Sequence, residues 1–182
     1  MNIPNLMTLI RIILVPVLII CLIQGFYLKA LIVFMVAGLT DALDGFLARV
    51  LHQKSILGAY MDPLADKALI VSSFVTLSVM AVIPSWLTVI VISRDIVLLT
   101  GICILTLISV PVEIKPAVVS KITTAFQLLT VFISLLTLAS LVCLGKKIEY
   151  IIFWTTAVMT VISGLTYVSR GIRVFNRSSV KK

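Results

Sequence analysis

Four aspartates stand in two short clusters, Thr40-Asp41-Ala42-Leu43-Asp44-Gly45 and Met61-Asp62-Pro63-Leu64-Ala65-Asp66-Lys67, each set in an otherwise apolar stretch. On helices, Asp41 and Asp44 are an i,i+3 pair and Asp62 and Asp66 an i,i+4 pair, so each pair projects from one face. Two such faces turned together would gather the carboxylates around one space, where they would repel unless cations occupied it. Oxygen-only ligation suits the hard ions Mg²⁺ or Mn²⁺, which also bind phosphate oxygens. Gly45, Ala48 and Arg49 follow Asp41 on the same face, and Gly58 precedes Asp62 by one turn. Small residues let a bulky ligand come close, and arginine offers a forked donor for phosphate oxygens. Acid pairs, small residues and one arginine describe a site for divalent metal and a pyrophosphate.

These clusters need elements that can hold them in a very apolar chain. Of 182 residues, 61% are hydrophobic and 12% charged, with a mean hydropathy of +1.25. Apolar stretches of about 20 residues, the length needed to cross a hydrocarbon core, recur along the chain. Backbone polar groups in lipid must be satisfied within the segment, which requires helices. The expectation is an all-α, polytopic integral membrane protein with six transmembrane helices in one domain, residues 1–182. The spans are read as Leu6 to Ile23, Lys29 to Arg49, Leu57 to Val82, Pro84 to Pro111, Pro116 to Leu144, and Ile148 to Ser169. A charge inside a span costs at least about 2.5–3.5 kcal/mol at the bilayer centre, so the aspartates need bound partners.

Charge in the connections sets an orientation. Arg49, Lys54 and Lys67 lie near the second connection, Lys115 and Lys121 near the fourth, and Arg170, Arg173, Arg177, Lys181 and Lys182 in a C-terminal tail. Positive-inside bias places both termini and the aspartates on the cytoplasmic side. The net charge of +8 thus reads as contact with anionic headgroups, and no basic stripe with interleaved aromatics suggests nucleic acid. Cys21, Cys103 and Cys143 match no zinc or redox spacing and read as buried hydrophobes. The first apolar run lacks a basic leader and a cleavage site and reads as a retained helix; without a transit peptide, a bacterial inner membrane is expected.

The run Asp41-x2-Asp44-Gly45-x2-Ala48-Arg49-x8-Gly58-x3-Asp62-x3-Asp66 matches, without departure, the signature of the CDP-alcohol phosphatidyltransferases, and the chain resembles that family over nearly its whole length. The resemblance implies that Asp41, Asp44, Asp62 and Asp66 hold a pair of divalent cations and that Asp66 is the general base. It would take the proton of an acceptor hydroxyl, which attacks the lipid-side phosphorus of CDP-diacylglycerol and expels CMP. By similarity Gly45, Ala48, Arg49 and Gly58, with Asp41 and the N-terminal Asn5 and Thr8, would bind the CDP-lipid, and the family suggests a homodimer.

The segments Ile3-Pro4-Asn5-Leu6-Met7-Thr8 with Arg11, Ile92-Ser93-Arg94-Asp95, and Ile114-Lys115-Pro116 leading to Ser120-Lys121-Ile122-Thr123-Thr124 look like those of the CDP-alcohol-type cardiolipin synthases, whose acceptor is phosphatidylglycerol. The alternative acceptor is glycerol 3-phosphate, used by the related phosphatidylglycerophosphate synthases. Either carries a phosphate, which Arg94 and Lys121 are expected to contact. Arg94 and Asp95 are adjacent on a helix, so they are not expected to pair with each other.

Other polar residues have plainer readings. His52 fits loop filler, Lys54 and Lys67 fit headgroup anchors, and Trp86, Tyr150 and Trp154 fit an interfacial belt. Gly38 and Gly164 are expected to serve helix packing. The competing class is a small cation transporter or channel, since intramembrane carboxylates also line pathways. Against it, the outer halves of the second and third spans, Ala30 to Gly38 and Ser73 to Val82, offer only a few hydroxyls.

Overall fold

Helix α1 (Ile3–Ile23) opens the chain, followed by α2 (Tyr27–Val50), α3 (Ile56–Val79), α4 (Ser85–Leu107), α5 (Val118–Leu138) and α6 (Lys146–Ser179). The structure is a computed structural model that describes residues 3–50, 56–107, 118–143 and 145–179; at 3–8, 41–50, 56–64, 66, 102–107, 118 and 170–179 it describes the backbone only. Every element among the described residues is an α-helix.

The chain divides into two compact units. One comprises Met1–Ile83 with Val131–Leu144, the other Pro84–Thr130 with Gly145–Lys182, so the boundary falls within α5. In the first unit α1 packs on α2 and α3. The contact surfaces follow the helical period: Leu18 and Leu22 on α1, Ala30, Phe34 and Ala37 on α2, and Ile70, Phe74 and Leu77 on α3 are all buried. Arg11 is buried among them, at 1% exposure.

In the second unit α4 packs on α6. Trp86 of α4 stacks near Trp154 of α6, with ring centroids 5.1 Å apart, and eight to nine residues further along both helices Arg94 meets Ser163. The two helices therefore run parallel. On α5 the order is reversed: Ser120 lies at the level of Ser163 through Arg94, and Thr130 pairs with Thr156.

Three helix ends share one stop. After α1, Phe26 N–H donates to the Cys21 carbonyl (2.9 Å) and Gly25 N–H to that of Leu22 (3.1 Å), with Gly25 left-handed at φ 77°. This is the Schellman arrangement. The same pair of bonds closes α3 (Val82 to Leu77, Ala81 to Ser78) and α5 (Leu141 to Leu136, Ser140 to Thr137), but the left-handed residues there are Ala81 (φ 57°) and Ser140 (φ 55°). A Cβ in that conformation costs about 1 kcal/mol or more. Ala81→Gly and Ser140→Gly are each expected to stabilise the protein by up to about 1 kcal/mol; an unchanged or lower thermal midpoint in detergent would count against these conformations.

Several expectations are corrected. The third helix ends at Val79, short of the expected Val82, and the fifth at Leu138, short of the expected Leu144, each closed by the turn at left-handed Ala81 or Ser140. Cys143 consequently lies beyond α5 and is exposed, and Cys21 is half-buried; the side chain of Cys103 lies outside the described residues. The sixth helix runs ten residues past Ser169 to Ser179, so Arg170, Arg173 and Arg177 continue a helix instead of forming a loose tail. No proline interrupts that segment, and arginine is a good helix former. A Cβ built at Gly38 would meet nothing within 4 Å, and at Gly164 only the Arg94 Cγ at 3.7 Å. Neither glycine is needed for a close approach of helices.

Candidate active site

Helix α2 carries Asp41 and Asp44 in its C-terminal half, and α3 carries Asp62 and Asp66 in its first half. The backbone is helical through both motifs, as the spacing argument requires. An i,i+3 step turns about 60° short of a full revolution and an i,i+4 step about 40° past it, so each pair occupies one helix face. The donor set is carboxylate oxygen throughout, which fits Mg²⁺ or Mn²⁺ better than a soft or nitrogen-preferring metal. The side chains of Asp41, Asp44, Ala48, Arg49, Asp62 and Asp66, and of Asn5 and Thr8 on α1, lie outside the described residues, as do the surroundings of Gly45 and Gly58, and His52 and Lys54 altogether. Among the described residues no group of three His, Cys, Asp or Glu is placed to hold a metal ion.

Arg94 is described in full. Its side chain is 5% exposed and that of Asp95 3%, and Nη1 donates to Asp95 Oδ1 at 2.7 Å. The expectation that these neighbours would not pair is overturned. Two adjacent charges buried on the same helix satisfy each other because leaving either alone in the interior costs several kcal/mol, and the long arginine stem can swing across the angle between them. Nη2 donates to Ser120 Oγ on α5 (2.6 Å) and to Ser163 Oγ on α6 (2.9 Å), while the buried Nε has no partner. One guanidinium thus ties three helices of the second unit. Lys121 is exposed beside Ser120.

From that node a polar seam runs between α5 and α6. Thr123 Oγ1 donates to the Met159 carbonyl (3.0 Å), Gln127 Nε2 to Thr160 Oγ1 (3.3 Å), and Thr130 and Thr156 hydroxyls share a bond of 2.7 Å. All five side chains that form it, Thr123, Gln127, Thr130, Thr156 and Thr160, are fully buried. Thr130 and Thr160 also bond back to the carbonyls of Phe126 and Thr156 on their own helices. The hydroxyls are largely consumed by the helices themselves, which suits interhelical glue better than an ion path.

Sequence reading missed Ser163 and this seam, although the signal was present. Ser120, Thr123, Gln127 and Thr130 recur every three or four residues, as do Thr156, Thr160 and Ser163. The opposite faces are apolar and exposed: Ile151, Trp154, Val158, Val161 and Leu165 on α6 are each 45% exposed or more. Polar inside and apolar outside is the arrangement of helices bathed in lipid. Val119–Leu138 and Lys146–Ser169 are, among the described residues, the two helical stretches long and apolar enough to cross a membrane.

Known proteins are similar to this chain over most of its length. The cardiolipin synthase (CMP-forming) of Rattus norvegicus is 38% identical over 187 residues, an alignment that covers 93% of this chain and 61% of the rat protein; the human cardiolipin synthase matches equally, over 62% of its length. The chain therefore spans about three fifths of those relatives. The CDP-diacylglycerol–glycerol-3-phosphate 3-phosphatidyltransferase of Bacillus subtilis is 28% identical over 98% of this chain and 99% of its own. The family profile described as CDP-alcohol phosphatidyltransferase matches residues 1–162, a stretch that contains both aspartate motifs and, of the Arg94 node, Arg94, Asp95 and Ser120. With that match, and with the motif on two helices of an all-helical chain, the protein belongs to the CDP-alcohol phosphatidyltransferase family.

Proposed function

We propose that this protein transfers the phosphatidyl group of CDP-diacylglycerol to phosphatidylglycerol, forming cardiolipin and releasing CMP. The observation that carries the reading is the unbroken eight-position aspartate motif on helical backbone, joined to the similarity to cardiolipin synthases. Glycerol 3-phosphate is the second acceptor to consider, because the match to the Bacillus subtilis glycerol-3-phosphate enzyme runs nearly end to end in both proteins.

In this mechanism Asp66 accepts the proton of the acceptor hydroxyl as its oxygen attacks the lipid-side phosphorus. A new P–O bond forms, the bond to the CMP phosphate oxygen breaks, and CMP leaves with the electron pair. Asp41, Asp44, Asp62 and Asp66 would hold Mg²⁺ or Mn²⁺, which when bound supplies charge stabilisation at the diphosphate. Gly45, Ala48 and Gly58 leave room for the CDP moiety, and Arg49 donates to its phosphate oxygens. Asn5 and Thr8 complete the CDP-lipid contacts, while Arg94 and Lys121 receive the acceptor's phosphate.

The same reading makes the chain one membrane domain with six spans and both termini in the cytoplasm of a bacterial cell, within its inner membrane. The parallel course of α4 and α6 and the reverse course of α5 support it, since alternate spans of a multi-pass chain must point the same way. So does the inverted polarity of the second unit.

The test is purified protein in detergent with CDP-diacylglycerol and Mg²⁺ or Mn²⁺, offered glycerol 3-phosphate and phosphatidylglycerol separately. CMP release with cardiolipin formed from phosphatidylglycerol is expected. Phosphatidylglycerophosphate as the only product would select the second acceptor, and no CMP release with either would overturn the enzyme reading.

A further inference from the structure

The Arg94 guanidinium is held unevenly. A guanidinium has a side edge, made of Nε–H and the adjacent Nη2, that matches two oxygens of one phosphate. On the far side Nη1 is committed to a carboxylate, Asp95. Along the side edge Nη2 meets only neutral hydroxyls, Ser120 and Ser163, and Nε–H is buried with no acceptor. The arginine is therefore anchored at one corner by charge, and at the edge fitted to a phosphate it is satisfied only weakly and in part.

We infer that the serine pair is a placeholder: the Ser120 and Ser163 hydroxyls hold the two hydrogens of Nη2 until a phosphate of the anionic acceptor takes Nε–H together with the Nη2–H beside it and displaces the hydroxyl held there. This rests on the reading that Arg94 receives the acceptor, and it deepens that reading by naming which donors are exchanged and what holds them beforehand. A charge-assisted bond to a phosphate oxygen is stronger than one to a hydroxyl, so the exchange runs toward the ligand. Asp95 keeps the guanidinium plane in place during it. The hydroxyl on that hydrogen nevertheless competes with the acceptor. Removing it leaves a buried donor with fewer partners in the empty protein, and binding then recovers more.

The consequence has an unusual sign. In Ser120→Ala/Ser163→Ala the KM for the acceptor is expected to fall about tenfold, with the KM for CDP-diacylglycerol unchanged, whereas loss of a bracing contact would raise the acceptor KM or depress both substrates alike. Ser163→Thr, which keeps a hydroxyl, should return the wild-type value. Measurements use full-length protein in detergent with glycerol 3-phosphate and phosphatidylglycerol as separate acceptors, since both carry the phosphate in question. An acceptor KM that is unchanged or higher in the double variant overturns the placeholder role. Should the double variant not fold, Ser120→Ala and Ser163→Ala are made singly; one of them is expected to lower the acceptor KM about threefold, and no change in either would overturn it equally. Arg94→Gln separates the two levels: if it leaves the acceptor KM unaltered, the assignment of Arg94 to the acceptor fails as well. If it raises the KM while the serine variants do nothing, only the placeholder role is lost.

Discussion

Replacing Asp66 by asparagine is expected to cut CMP release by about two to four orders of magnitude while leaving the thermal midpoint and helical content of the protein near wild type. The amide has the same size and shape as the carboxylate but cannot accept the proton of the acceptor hydroxyl, and an alcohol that keeps its proton is a poor nucleophile toward phosphorus. Asp66 lies on α3 one turn after Asp62, so the change leaves the helix register intact. Steady-state CMP release and circular dichroism on the same preparation decide the matter. Turnover within about tenfold of wild type would remove Asp66 from the base role.

Stripping divalent cations should have an effect of similar size. Exhaustive chelation is expected to lower CMP release at least about a hundredfold, and adding back Mg²⁺ or Mn²⁺ to restore it. Four carboxylates within two short helical segments repel one another and any incoming diphosphate unless positive charge lies between them. Full turnover after chelation would mean that the acidic motif does its work without a metal, and the proposed roles of Asp41, Asp44 and Asp62 would fall together.

How far the sequence alone could be read depended on whether a feature rests on local spacing or on a partner far along the chain. The helices were legible because apolar stretches of spanning length admit little else, and the aspartate pairs because the two members of each stand about one helical turn apart. The ends at Val79 and Leu138 were not. A stop built on left-handed Ala81 or Ser140 has none of the glycine signal that marked Gly25, and it is set by the fit of the following turn. The Arg94 node was misread for a related reason. Helical geometry says that adjacent residues diverge, and it does so for their Cβ atoms; the tip of a long buried side chain answers instead to charge. Ser120 and Ser163 stand 43 positions apart, so their meeting at one nitrogen atom is visible only once α5 and α6 are brought together. The polar seam was within reach, because Thr156, Thr160 and Ser163 repeat at helical spacing within a stretch whose other side chains are apolar.

The length of α6 carries a mechanical consequence. Its 34 residues, at about 1.5 Å each, make a rod of about 51 Å, against a hydrocarbon thickness of about 30 Å. With no proline to act as a joint, leaning at the apolar end would be carried along to the arginine-bearing end. If α6 spans a bilayer as proposed, a thinner one would make its apolar segment lean further, the distance of those arginines from the lipid surface would follow membrane thickness, and α6 would act as a lever that converts one into the other.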